Sequence, residues 1–206
     1  MTELEDILKA MEDEGITHES IMENQAIDDG WDLEQYRKLG EIRLNLQDKV
    51  RSFECLPVDE WPSFDIHWDL NPENFRFAFD GVSPIEYAKN YPDGFLLCWV
   101  LQSEFYGNLC HYSKRSPEEL WELGFTHKLA RVIAYCSEGH PLTPVVAKPH
   151  PNFANEVLLL GGNHRYAMIN ALKIKVMPLL IQHEDYDEMS KRLCSLSDSY
   201  QDIFNS

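Results

Sequence analysis

Three consecutive leucines, Leu158-Leu159-Leu160, run into Gly161-Gly162 and then into Asn163-His164-Arg165-Tyr166-Ala167-Met168. The leucines read as a buried strand. The glycine pair permits a tight turn, and Asn163 opens a helical pattern that runs to about Leu172. A strand–Gly–Gly–helix junction leaves the first N–H groups of the helix without intrahelical acceptors and points the positive end of its dipole outward. Such a junction seats a phosphate, and Arg165 in the first turn adds a two-pronged donor. Glycines also let a ligand approach the main chain closely. The plainer alternative is an ordinary strand-to-helix turn in which Asn163 is an N-cap.

The flanks extend this pattern. Pro144 to Lys148 reads as a strand, a Pro/Asn loop follows, and Glu156 to Leu160 reads as the strand entering the junction. After the helix, Val176 to Ile181 forms another strand, and Glu184-Asp185 opens a last helix carrying Met189, Leu193 and Leu196. Upstream, Thr126 to Ser137 sets Leu129, Val132, Ile133 and Cys136 on one helical face, with Gly139 at the C-cap. Strands interleaved with helices indicate an α/β or α+β sheet domain.

The first part of the chain is different. Helices are expected over Glu3–Glu14, Thr17–Ile27 and from Asp32, whose spacing to Gln35 is that of a capping box. From Phe53 to Phe79 prolines and aromatics dominate; Phe75 to Phe79 alternates as a strand would, and Asp80-Gly81 signals a turn. Ser83-Pro84-Ile85-Glu86 starts a short helix, Phe95 to Phe105 is a buried strand or helix, and Ser116-Pro117-Glu118-Glu119 repeats the helix-start signature. The expected organisation is an acidic, mainly helical region over residues 1–94 packed on an α+β domain over residues 95–206.

Charge supports that division. Residues 1–110 hold 8 Lys and Arg against 24 Asp and Glu, while residues 111–206 hold 10 against 11, within a net charge of −17. Without a run of Lys and Arg, extensive nonspecific nucleic-acid binding is not expected. The five cysteines are odd in number and widely spaced, with no C-x-x-C pair, and read as reduced thiols of a cytoplasmic protein. The acidic start lacks the grammar of a secretory signal, and no apolar run is long enough to span a membrane.

The stretch Leu160-Gly161-Gly162-Asn163-His164-Arg165-Tyr166-Ala167 is similar to the sulfiredoxin signature, a glycine pair followed by Cys-His-Arg-Tyr. It also resembles the G-x-H/R-R motif of the ParB N-terminal domain, which shares that fold. The order of elements from Thr126 to Ile181 is similar as well. The resemblance implies a nucleotide site for ATP or CTP with Mg²⁺. Gly161, Gly162, Asn163, His164 and Arg165 would hold the phosphates, and Lys148 would match a lysine that helps hold ATP. For hydrolysis or phosphoryl transfer, Arg165 would neutralise the phosphates and His164 would hydrogen-bond a phosphate or act as acid or base, the alternative for His164 being a histidine packed or capping at the turn. Glu138 and Glu156 are the candidate metal or base carboxylates in the chain.

The departures narrow this. Sulfiredoxin chemistry needs a cysteine where this chain has Asn163, so sulfinic-acid repair is not expected; Cys136 would have to approach in space. ParB-type CTPases often carry an acidic residue there, and the 25 residues after Ile181 leave no room for a ParB helix-turn-helix. The alternative is a protein-binding inhibitor or regulator that keeps the fold without the chemistry, its partner meeting the acidic N-terminal region. A ParB-like nuclease is third, since no compact Asp/Glu/His cluster stands in the sequence. His140 and His150 flank the Pro-rich loop without a zinc spacing, and Trp99 and Trp121 read as core.

Overall fold

The computed structural model describes residues 17–79, 82–114, 116, 119–122 and 124–204. The expected helix at Glu3–Glu14, the Asp80-Gly81 turn and the Pro117-Glu118 helix start lie outside them.

Local caps define the first helices. Helix α1 (His18–Asp28) begins at Thr17, whose side chain accepts from Ser20 N–H at 3.1 Å while the Ser20 hydroxyl accepts from Thr17 N–H at 3.0 Å. Helix α2 (Leu33–Asn45) begins at Asp32, which accepts from Gln35 N–H at 2.8 Å. The chain breaks at Leu46 and continues as α3 (Gln47–Phe53). A fork of Arg37 on Glu23, at 2.5 and 2.8 Å, ties α1 to α2.

In the run Phe75–Phe79, expected as a strand, Phe75 to Ala78 instead end a 3₁₀ helix over Pro72–Ala78, and Phe79 follows it as an extended cap. Asn71 caps it by accepting from Glu73 N–H at 3.2 Å, and Pro72 supplies a preset φ at its first position. Side chains three apart eclipse in a 3₁₀ helix. Phe75 and Ala78 therefore point inward together, and Phe77 packs against Trp31 at 6.0 Å between ring centres. Helix α4 (Pro84–Asn90) follows from the expected start at Ser83, where Ser83 and Glu86 close a capping box.

Among the described residues the sheet has four strands: β1 (Leu96–Leu101), β2 (Val145–Pro149), β3 (Val157–Gly161) and β4 (Val176–Ile181), in spatial order β1-β4-β2-β3. β1 and β4 are antiparallel, β4 and β2 parallel, β2 and β3 antiparallel, so the sheet is mixed and the fold is α+β. Phe95–Phe105 resolves into β1 and then α5 (Gln102–Asn108). Helix α6 (Thr126–Ser137) ends with Gly139 at φ +76°, the left-handed position expected of a C-terminal glycine. Helix α7 (Asn163–Ala171) carries the chain from β3 over to β4, and α8 (Tyr186–Arg192) follows.

Strand alternation divides the sheet between two cores. Val145, Ala147, Met177, Leu179 and Ile181 face α5, α7 and α8, meeting Phe105, Tyr166, Ile169 and Met189. Val146 and Leu180 face the other way, onto Phe75, Ala78 and Phe95, with Phe79, Tyr87 and Tyr91 packed alongside. A third core joins α6 and α7 to Trp61 through Leu129, Ile133, Cys136 and Met168. The second and third cores thus draw residues from both sides of position 94. No helix among the described residues is long and apolar enough to cross a membrane.

Candidate functional site

The junction is built by β3 and α7. Gly162 is the N-cap of α7 at φ +89°, a left-handed conformation that favours glycine, and α7 begins without a side-chain cap. Asn163, the first helical residue, is exposed. A Cβ on Gly162 would lie 2.9 Å from Val145 Cγ1 and 3.0 Å from Arg165 Nη2. A Cβ on Gly161 would lie 2.5 Å from the Ala78 carbonyl oxygen, where two backbones pass each other. Both glycines are thus explained by packing at the turn.

Arg165 folds back rather than reaching outward. Its Nη1 donates to the carbonyls of Thr143 at 2.7 Å and Pro144 at 3.2 Å, and its Nη2 donates to the Ala78 carbonyl at 2.5 Å. The guanidinium therefore pins three segments together: the start of α7, the residues entering β2 and the end of the 3₁₀ helix. The two-pronged donor expected for a phosphate is spent on main-chain oxygens. His164 is half-buried, and its Nε2 is shut off from solvent.

The other candidates lie elsewhere. Lys148 pairs with Leu158 on β3, two positions along β2 from the Val146–Gly161 pair, which separates it from the junction by about 7 Å along the strand. Its charge acts on Asp185, whose carboxyl is raised by burial and by Glu184 and drawn back by Lys148 and Arg192. Glu138 forms an ion pair with Lys49 of α3. Glu156 precedes β3 and stands at the far end of that strand from Gly161, so neither carboxylate meets the junction. Cys136 is buried among Leu129, Ile133 and Met168, and burial pushes its thiol up to about 12. It is no nucleophile at neutral pH. His140 stacks on Tyr135 at 4.6 Å. Trp99 packs edge-on to Tyr200 and Trp121 edge-on to Trp61, both as supporting rings.

Two features of the structure have no signal in the sequence. One is a cavity of about 560 Å³ near the C-terminal end of α7, lined by Gln102, Tyr106, Asn170, Lys173 and Lys175 among others. Gln102 is buried on its floor and donates to Asn170 Oδ1 at 2.7 Å. The other is a cluster of Cys110, His150 and Glu156, whose polar atoms all lie within 4.8 Å of one another. His111 joins it, with Nδ1 at 3.4 Å from both Glu156 oxygens. Burial pushes the Glu156 carboxyl up, but a bond from the Cys110 thiol, the His111 bond and the charges of His111 and His150 outweigh it and leave the group below the ordinary carboxylate value. These residues come from separate stretches, so no local spacing could have shown them.

Compared with known proteins, the chain matches no family model, no curated protein and no solved structure.

Proposed function

We propose that this chain is a nucleotide-binding protein of the ParB/sulfiredoxin kind, in which the phosphates of ATP or CTP, brought with Mg²⁺, sit at the mouth of α7. One observation carries the reading: α7 starts from a left-handed glycine with no side-chain cap and an exposed first residue, at the turn of a strand–Gly–Gly–helix unit. A helix start of this form offers N–H donors and a positive dipole end to an anion. In this reading Arg165 positions the turn from behind, through Thr143, Pro144 and Ala78, and the main chain at Gly162 and Asn163 meets the phosphates.

Phosphoryl chemistry relies on cations and a base aligned on the transferred group. Arg165 is committed to carbonyls, Lys148 stands two positions along β2 from the junction, and Glu138 and Glu156 are elsewhere, so binding without turnover is the version the geometry favours. A second reading, a regulator that meets a protein partner through its acidic helices, draws support from α1. There Ile21, Met22 and Ile27 are 41%, 40% and 52% exposed beside Glu19 and Asp28.

A thermal-shift series with ATP, CTP, GTP and their diphosphates, with and without Mg²⁺, tests the first reading. A ligand at a hundred times its Kd stabilises by about 2.7 kcal/mol if it binds only the folded chain. The informative variant is Asn163→Asp. A carboxylate in the first turn stabilises the helix by about 0.3–1 kcal/mol, yet repels phosphate at the same place. The expected result is a higher basal Tm and a lost nucleotide shift. An undiminished shift in Asn163→Asp would place the nucleotide elsewhere, and no shift in the wild-type chain would leave the regulator reading alone.

A further inference from the structure

We propose that Cys110, His111, His150 and Glu156 form a binding site for one divalent cation of the zinc type. The site is independent of the mouth of α7, from which it is separated by the length of β3.

The donors are held in place by the main chain around them. Cys110 N–H donates to the Val157 carbonyl at 2.8 Å, which fixes the end of the α5 segment beside the first residue of β3. His150 N–H donates to the Glu156 carbonyl at 2.8 Å and closes the β2–β3 connection into a loop. Arg192 of α8 then grips that loop from outside, donating to the carbonyls of His150 at 3.1 Å, Phe153 at 3.0 Å and Glu156. Cys110 and His150 are buried, whereas the Glu156 side chain is 27% and the His111 side chain 52% exposed. The cluster is therefore anchored on its inner side and open to solvent through His111 and Glu156.

The donor types choose the ion. One thiolate, imidazole nitrogen and a carboxylate suit Zn²⁺ and Co²⁺, while Ca²⁺ and Mg²⁺ prefer sets of oxygens. A tetrahedral ion with bonds of about 2.0–2.3 Å sets its ligand atoms about 3.3–3.8 Å apart. The three atoms that lie within 4.8 Å of one another need to close by about 1 Å, and the exposed His111 can swing in as fourth ligand. On binding, the Cys110 S–H bond breaks, sulfur keeps the electron pair for the cation, and the proton passes to solvent.

His150 sets the cost. Its Nδ1 accepts from the N–H groups of Asn152 at 3.1 Å and Phe153 at 3.2 Å. An ion at Nδ1 displaces those two donors. An ion at Nε2 moves the ring proton to Nδ1, where it opposes them. Either way the turn at residues 151–153, exposed on its outer side, must let go.

Titration of the full chain with Co²⁺ tests the site. The expected result is a thiolate-to-cobalt charge-transfer band and the strong visible bands of a four-coordinate ion, saturating at one equivalent and bleached by Zn²⁺. Cys110→Ser should abolish the charge-transfer band, and Cys194→Ser, at an exposed cysteine, should retain it. His111→Ala and Glu156→Gln, both at solvent-facing positions, should each weaken Zn²⁺ binding about tenfold or more in competition with a chromogenic chelator. The proposal is overturned by a weak hydrated-ion spectrum or by a charge-transfer band that survives Cys110→Ser. If Cys110→Ser fails to fold, unchanged affinity in both other variants overturns it equally.

Discussion

Arg165 and Arg192 do parallel work at opposite ends of β3, each donating to three main-chain carbonyls. Arg165 grips Thr143, Pro144 and Ala78; Arg192 grips His150, Phe153 and Glu156. Hydrogen bonds to a charged donor contribute about 1.5–3 kcal/mol, and orphaned buried carbonyls add a penalty. Arg165→Ala should therefore lower stability by about 2–4 kcal/mol in urea unfolding, and Arg165→Lys should recover only part, since an ammonium lacks the planar fork. An unchanged urea midpoint would contradict the clasp. The presence of Arg165 in the first turn of a helix after a glycine pair was legible in the sequence. What it holds was not, because its partners lie 22 and 87 residues away. Burial pushes Cys98 up to about 11 and Cys136 up to about 12, and Cys110 is buried, whereas Cys55 and Cys194 are exposed. Brief alkylation of the native chain at pH 8 should modify Cys55 and Cys194 alone, and alkylation in denaturant all five, as read by mass spectrometry.

Among the elements, the 3₁₀ helix Pro72–Ala78 carries more of the fold than its length suggests. Phe75 is 2% exposed and packs with Ala78, Phe95, Val146 and Leu180 on the second face of the sheet. Phe75→Ala should cost about 3–5 kcal/mol, the usual penalty for emptying an aromatic site in a core. A loss under 1 kcal/mol in urea unfolding would show that the segment merely rests on the surface. The sequence showed the alternation Phe75-Arg76-Phe77-Ala78-Phe79, and alternation is the strand signal. The local cap prevailed: Asn71 and Pro72 bias the segment toward a tight turn, and among the described residues no strand lies alongside to supply a ladder. The last third was readable for the opposite reason. β4 falls on the expected residues Val176–Ile181, and α7 opens at Asn163 as expected, because glycine punctuation and apolar runs agree there with the tertiary packing. The cluster of Cys110, His111, His150 and Glu156 left no such trace, since two stretches far apart in the chain close on it.

For the whole molecule, charge sets the response to pH. Arg37 holds the Glu23 carboxyl below its ordinary value of 4.5, Arg192 does so for Glu188, and Glu156 is lowered as described. Groups lowered on folding contribute stability above the unfolded value, and that contribution is lost as pH falls through the folded value. Asp185 works the other way: raised by burial, it gains stability as pH falls through its folded value. The urea midpoint should therefore vary little from pH 7 to 5 and fall below pH 4.5, less steeply in Glu23→Gln. A net charge of −17 also predicts a Tm that rises with salt, as screening relieves self-repulsion. The proposed uptake of a nucleotide at the start of α7 is read from amide resonances of the ¹⁵N-labelled protein during ATP and CTP titrations. Binding at the start of α7 should give saturable shifts centred on Gly162 and Asn163. Shifts centred instead on Lys173 and Lys175, beside the cavity at the other end of α7, or none at all, would contradict it.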